Sequence, residues 1–87
     1  MKASVSIDVM FKEGILDPQG KTVEESLPAL GYSGVSGVRI GKHIEMTVEG
    51  SSEEEILERV REMTQRFLSN PVIEDARVRI SDGATQA

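Results

Sequence analysis

The stretch Val35-Ser36-Gly37-Val38-Arg39-Ile40-Gly41-Lys42-His43-Ile44-Glu45-Met46-Thr47-Val48-Glu49-Gly50 decides the architecture. Val38, Ile40, Ile44, Met46 and Val48 share even parity straight through Gly41-Lys42. Strand side chains alternate between faces, so one continuous strand keeps this apolar set together. A two-residue hairpin at Gly41-Lys42 splits the set, whereas a three-residue loop over 41–43 preserves it, so a hairpin of that kind stays open. The favoured reading is a single long strand bent at Gly41. Such a strand overhangs a small domain, and an overhanging edge is a natural place for another chain to pair.

Working outward, Val5, Ile7, Val9 and Phe11 alternate with Ser4, Ser6, Asp8 and Lys12, the pattern of a strand with one buried face. Asp17-Pro18-Gln19-Gly20 then opens a helix, with Asp17 as its cap and Pro18 at the first position, where the missing N–H costs nothing. Val23, Leu27 and Leu30 form its expected apolar stripe, and Gly31 suits a left-handed terminus. Pro28 conflicts with that pattern, because it removes the hydrogen bond to the Glu24 carbonyl and loosens the last turn. Downstream, Ser52 and Glu55 are spaced as a capping box, and Ile56, Leu57, Val60, Met63, Phe67 and Leu68 predict an amphipathic helix. Asn70-Pro71 ends it, and Val72–Ile80 reads as a last strand with Ala76, Val78 and Ile80 inward. Residues 1–80 thus form one domain, followed by a frayed tail over 81–87. The order strand, helix, long strand (or hairpin), helix, strand gives an α+β fold. Two helices lie on one face of a mostly antiparallel sheet, related to the ferredoxin-like arrangement.

Composition narrows the function. The chain has 87 residues, ten Lys and Arg against 15 Asp and Glu, a formal charge of −5, one His and no Cys or Trp. A domain this small buries only roughly 60–65% of its unfolded surface, so a partner that covers more of it adds stability. The absence of Cys excludes a disulfide framework, a thiolate metal site and a cysteine nucleophile. The acidic balance argues against binding a phosphate backbone. Asp8 interrupts the segment where a signal peptide needs an apolar run, and apolar runs never exceed three residues, so the expected compartment is the cytoplasm.

Catalytic constellations are hard to find. His43 is the lone imidazole and falls on the polar face of its strand, with no second His or Cys to complete a transition-metal site. Glu53-Glu54-Glu55 is explained by helix capping and lacks the spacing of a calcium loop. Gly31, Gly34 and Gly37 follow a helix and precede a strand, the reverse of a phosphate-cradling loop. Arg39-Ile40-Gly41-Lys42 offers two cations on opposite strand faces beside a glycine, which suits a partner contact or simply a charged bend. Interaction is better supported than catalysis.

Four stretches in register resemble one family. They are Lys12-Glu13-Gly14-Ile15-Leu16-Asp17-Pro18-Gln19-Gly20-Lys21, Leu30-Gly31-Tyr32, Val38-Arg39-Ile40-Gly41-Lys42 with Ile44-Glu45, and Asn70-Pro71-Val72-Ile73-Glu74. Together they are similar to the PurS small subunits of phosphoribosylformylglycinamidine (FGAM) synthase. Pro28 and the residues after Ile80 depart from the family pattern. The resemblance implies an accessory subunit in purine biosynthesis, in a complex that converts formylglycinamide ribonucleotide, glutamine and ATP to the amidine. It implies that ATP and Mg serve the complex while this chain holds no cofactor, metal or catalytic residue. Its implied partners are itself, as a homodimer or higher oligomer, a glutaminase subunit and a large synthetase subunit, with no nucleic acid or membrane. The small subunit is expected to bridge the other two and support ammonia transfer. Arg39, Gly41 and Lys42 match the central-strand motif and are the candidate subunit contacts. Asp17, Pro18, Gln19, Gly20, Asn70 and Pro71 match motifs expected to be structural. The competing expectation is a dimeric sensing module that binds an amino acid or nucleotide between chains.

Overall fold

Ala3, Val5, Ile7 and Val9 are buried along β1 (Lys2–Phe11), the middle strand of a three-stranded antiparallel sheet. The structure, a computed structural model, describes residues 1–81. Along the chain follow α1 (Pro18–Ser26), a 3₁₀ turn (Pro28–Leu30), β2 (Lys42–Glu49), α2 (Glu53–Met63), a π-helical turn (Thr64–Leu68) and β3 (Glu74–Ser81). The sheet order is β2-β1-β3. Val5 sits opposite Met46 and Ile80, and Ile7 opposite Ile44 and Val78, so all three strands contribute apolar side chains to one face. Ile56 and Val60 of α2 seal that face and complete the buried core with Val48. The α+β arrangement is the expected one. Ser81 belongs to β3, while the remainder of the expected tail lies outside the described residues.

Four expectations need correction. The segment over 35–50 is neither a full-length strand nor a hairpin: 42–49 pairs with β1, while 35–41, with Gly37 at φ 69°, is irregular and has no neighbouring strand among the described residues. Pairing ends at Val9–Lys42, two residues before β1 itself ends, and the Ile40 and Val38 N–H groups go instead to the side chains of Asp17 and Glu24. In the first helix, Leu27 still donates to Val23, but Pro28 cannot donate, and the chain tightens into the 3₁₀ turn closed by Gly31 at φ 96°. Its stripe is not buried: Leu30 is 70% exposed and Val23 is also exposed.

The other two corrections concern α2 and β3. Ser52 accepts from the Glu55 backbone N–H at 3.2 Å, but the Glu55 carboxylate returns to the N–H and hydroxyl of Ser51 rather than closing a reciprocal box on Ser52. Those Ser51 donors, backbone first, hold the Glu55 carboxyl below its ordinary value. At the far end Thr64, at i+4 from Val60, is buried on the same stripe, and the π turn that begins there adds a residue to the helical period and leaves Phe67 facing solvent at 86% exposure. β3 starts at Glu74, two residues later than expected, because Asn70 folds residues 70–74 into a turn. Its carbonyl accepts from Ile73 and Glu74, and its side chain accepts from Val72.

Candidate functional site

Asp17, Glu24 and Arg39 build the support for the extended segment before β2. Asp17 caps α1 by accepting the Gly20 N–H at Oδ1 (2.9 Å), and its Oδ2 accepts the Ile40 N–H at 2.8 Å. The Gly20 bond first and the Ile40 bond second hold this carboxyl below its ordinary value. Glu24 accepts the Val38 N–H at 2.9 Å, about two turns further along the same helix. Gly20 is buried beneath the Val38 carbonyl, which occupies the space where a side chain would start. Helix and segment are therefore fastened together, by side chains rather than by a strand ladder. Pro18 fills the first helical turn, and Gln19 beside it is exposed.

Arg39 donates to the Phe11 carbonyl at 2.5 Å, tying the segment to the end of β1. Gly41 lies against Val9 and Met10 where the segment joins the sheet. Lys42 opens β2 opposite Val9, exposed and without an ion-pair partner among the described residues. The structure thus brings Asp17, Gly20, Arg39, Gly41 and Lys42 to one end of the sheet. Asn70 and Pro71 join the same end through the Lys12 N–H, which donates to the Ile73 carbonyl. One edge of an extended backbone, two cations and the exposed side chains of Ile15, Leu16, Leu30, Tyr32 and Val35 form a surface suited to another protein.

A second cluster lies on the opposite, helix-free face and was not evident from sequence spacing. His43 bonds Asp8 at 2.5 Å through Nδ1 and Glu45 at 2.9 Å through Nε2, while Arg79 donates to the other Asp8 oxygen. The register supplies the explanation: Asp8 stands across from His43 on one side, and Ser6 stands across from both Glu45 and Arg79. The bond to Asp8, then that to Glu45, raises the His43 pKa above 6.5. The His43 bond, with Arg79 adding to it, lowers that of Asp8. Two carboxylates bonded to the imidazole favour its protonated form, which weakens it as a general base.

The cluster gives stability a pH window. The Asp8 contribution is present above its unfolded pKa and is lost as pH falls through its lowered folded value. The His43 contribution is present below about 6.5 and is lost as pH rises through its raised folded value. Thermal midpoints should therefore fall on the alkaline side, and His43→Gln should flatten that fall. An identical alkaline limb in both proteins would remove His43 as its source.

Comparison with known proteins joins this geometry to a family. Residues 4–82 match the family described as PurS, phosphoribosylformylglycinamidine (FGAM) synthase. The chain belongs to the PurS family. It is 41% identical over 83 residues to the phosphoribosylformylglycinamidine synthase subunit PurS of Bacillus subtilis, covering 94% of this chain and 96% of that one. A crystal form of B. subtilis PurS superposes with a TM-score of 0.81, covering 92% of this chain and 99% of that chain. A chain in a structure of PurLQS from Thermotoga maritima, 32% identical, superposes at 0.84 and covers 93% and 99% respectively. No helix among the described residues is long and apolar enough to cross a membrane.

Proposed function

We propose that this chain is the non-catalytic small subunit of an FGAM synthase, joining a glutaminase subunit to a large synthetase subunit. In the overall reaction glutamine releases ammonia, ATP activates the formylglycinamide ribonucleotide amide oxygen, and ammonia displaces that oxygen with phosphate. A subunit between the two active sites contributes by fixing their distance and orientation, so that ammonia passes without dilution into water. The observation that carries this reading is the likeness to a chain of the T. maritima PurLQS structure over almost the whole of both chains. ATP and Mg belong, in this reading, to the larger subunits.

Self-association accompanies the bridging role. Residues 38–41 lead into β2 without a strand neighbour among the described residues, and a second copy supplies one in the proposed assembly. The radius of gyration is 16.6 Å. About 12 Å is usual for a compact domain of this length. The excess reflects an arm that packs poorly on its own sheet. Leu16 at 68% exposure, Leu30 and Tyr32 lie on that arm and gain cover from a partner.

Reconstitution tests the reading. Amidation from glutamine should require this chain together with the two larger subunits, and the chain alone should hydrolyse neither glutamine nor ATP. Equal amidation without it would reject the role. Charge reversal of Arg39 and Lys42 together should weaken complex formation by roughly tenfold. Circular dichroism should remain that of the parent. Undiminished complex formation would return both residues to ordinary charges beside a bend.

A further inference from the structure

One pair of hydrogen bonds fixes which way the backbone of β2 faces. The Met1 amino group donates to the Gly50 carbonyl at 2.6 Å, and the Gly50 N–H donates to the Met1 carbonyl at 3.0 Å. In an antiparallel ladder, residues that exchange both bonds recur at every second position. Val48, Met46, Ile44 and Lys42 therefore turn their N–H and C=O groups toward β1, through an unbroken register from Lys2–Glu49 to Val9–Lys42. Glu49, Thr47, Glu45 and His43 turn theirs the other way, where no strand lies among the described residues. The alternation continues before Lys42, because the Ile40 and Val38 N–H groups are again taken up within the chain, by Asp17 and Glu24. Gly41 and Arg39 thereby extend the outward row.

Little blunts this edge. β2 has eight residues, with no proline and no bulge in its register. At its far end the Glu49 carbonyl is covered by the Arg59 guanidinium at 2.7 Å, which marks where the open row stops. Ile44 and Met46, only partly buried against the core, lie along the same margin of the sheet. The sequence itself then limits how a second copy of β2 can pair antiparallel with the first. A twofold axis at Lys42, His43 or Glu45 sets that residue against itself, and one at Thr47 sets Glu45 against Glu49. An axis at Met46 avoids like charges but carries Gly41 and Arg39 past the end of the partner's strand. An axis at Ile44 has neither fault. It places His43 across from Glu45, Arg39 from Glu49, Gly41 from Thr47 and Ile40 from Val48.

We infer that two copies of this chain pair antiparallel along the outer edge of β2, with Ile44 on the twofold axis, joining two three-stranded sheets into one of six strands. The outward N–H and C=O groups of Gly41, His43, Glu45 and Thr47 then find partners, and opposite charges face each other on the helix-free side. On the other side Ile44 meets its own copy, and the Lys42 stem lies over the partner's Met46. The inference rests on the self-association proposed above and adds its edge, register and axis.

Single cysteines placed in the full-length chain test the register, because the parent has none. Residues facing across a twofold axis at a non-hydrogen-bonded position have Cα atoms about 4.5 Å apart, within the roughly 4.4–6.8 Å that a disulfide spans. Ile44→Cys should therefore form an intermolecular disulfide on mild oxidation. Met46→Cys should not, since the two copies of that residue lie four positions out of step, about 13 Å along the strand. Thr47→Pro removes an N–H that points away from β1, so circular dichroism should match the parent while self-association, followed by sedimentation, weakens at least roughly tenfold. Cross-linking through Met46→Cys and not Ile44→Cys would overturn the register. An oligomeric parent that neither cysteine links, or whose association Thr47→Pro leaves unchanged, would overturn the inference and leave self-association to another surface. A monomeric parent would overturn this inference and the proposed self-association together, while amidation in the reconstituted complex still decides the bridging role.

Discussion

Gly41→Val should destabilise the fold by about 3 kcal/mol or more. The reason is steric and not torsional, since Gly41 is absent from the glycines with positive φ. A Cβ at this position would run into the carbonyl oxygen of Val9 and the sulfur of Met10. Met10 can swing aside, but Val9 cannot. It is buried on the central strand, with Lys42 across from it on one side and Ala76 on the other. The added side chain must instead push the segment before β2 away from β1. That movement pulls on the bonds from Ile40 to Asp17 and from Arg39 to Phe11. Domains of this size are stable by on the order of 4–13 kcal/mol. A loss of 3 kcal/mol therefore lowers the urea midpoint substantially, and the surviving folded fraction should also associate less. A urea midpoint equal to that of the parent would show that Val9 and the segment separate at little cost.

The same glycine shows how far the sequence could be read. Unbroken parity from Val38 to Val48 favoured one passage through Gly41 but left a three-residue loop open, and the structure has no hairpin there. Parity cannot announce where pairing ends. Whether residues 35–41 form a strand depends on whether another strand lies beside them, and among the described residues none does. The alternation in β1 and the stripe at Ile56 and Val60 were legible because burial follows period directly. Phe67 was not, because a π turn changes the period without an obvious residue to mark it.

Site legibility divides in the same way. The Asp17 cap was readable from Asp-Pro, but the second bond of that carboxylate, to Ile40, joins positions 23 residues apart. Glu24 likewise resembles an ordinary exposed helix residue until the Val38 N–H is found on it. The Asp8, His43 and Arg79 cluster needs the register of three strands, which composition does not contain. Local chemistry was visible in the sequence; chemistry assembled across the sheet was visible only in three dimensions.

Ile56→Ala is the complementary test, directed at α2, whose side chains complete the buried core. Ile56 is fully buried against a core that includes Val5, Ile7, Val9 and Val60. Truncating a buried isoleucine typically costs about 2–5 kcal/mol, depending on how well the site collapses. Collapse is poor here. Gly50 approaches so closely that its Cβ position lies 2.7 Å from Ile56 Cγ1, and glycine has no side chain to enter the vacated space. The cost should therefore be about 4 kcal/mol, lowering the thermal midpoint by roughly 15–30 °C for a domain of this length. Phe67→Ala, on the same continuous helical segment, should change stability by no more than about 0.5 kcal/mol because its ring is already in water. The contrast between these two apolar positions separates residues that hold the subunit together from those it presents to others. Comparable destabilisation by the two substitutions would mean that the π turn does not turn Phe67 outward, and would remove the ring from the surface available for docking.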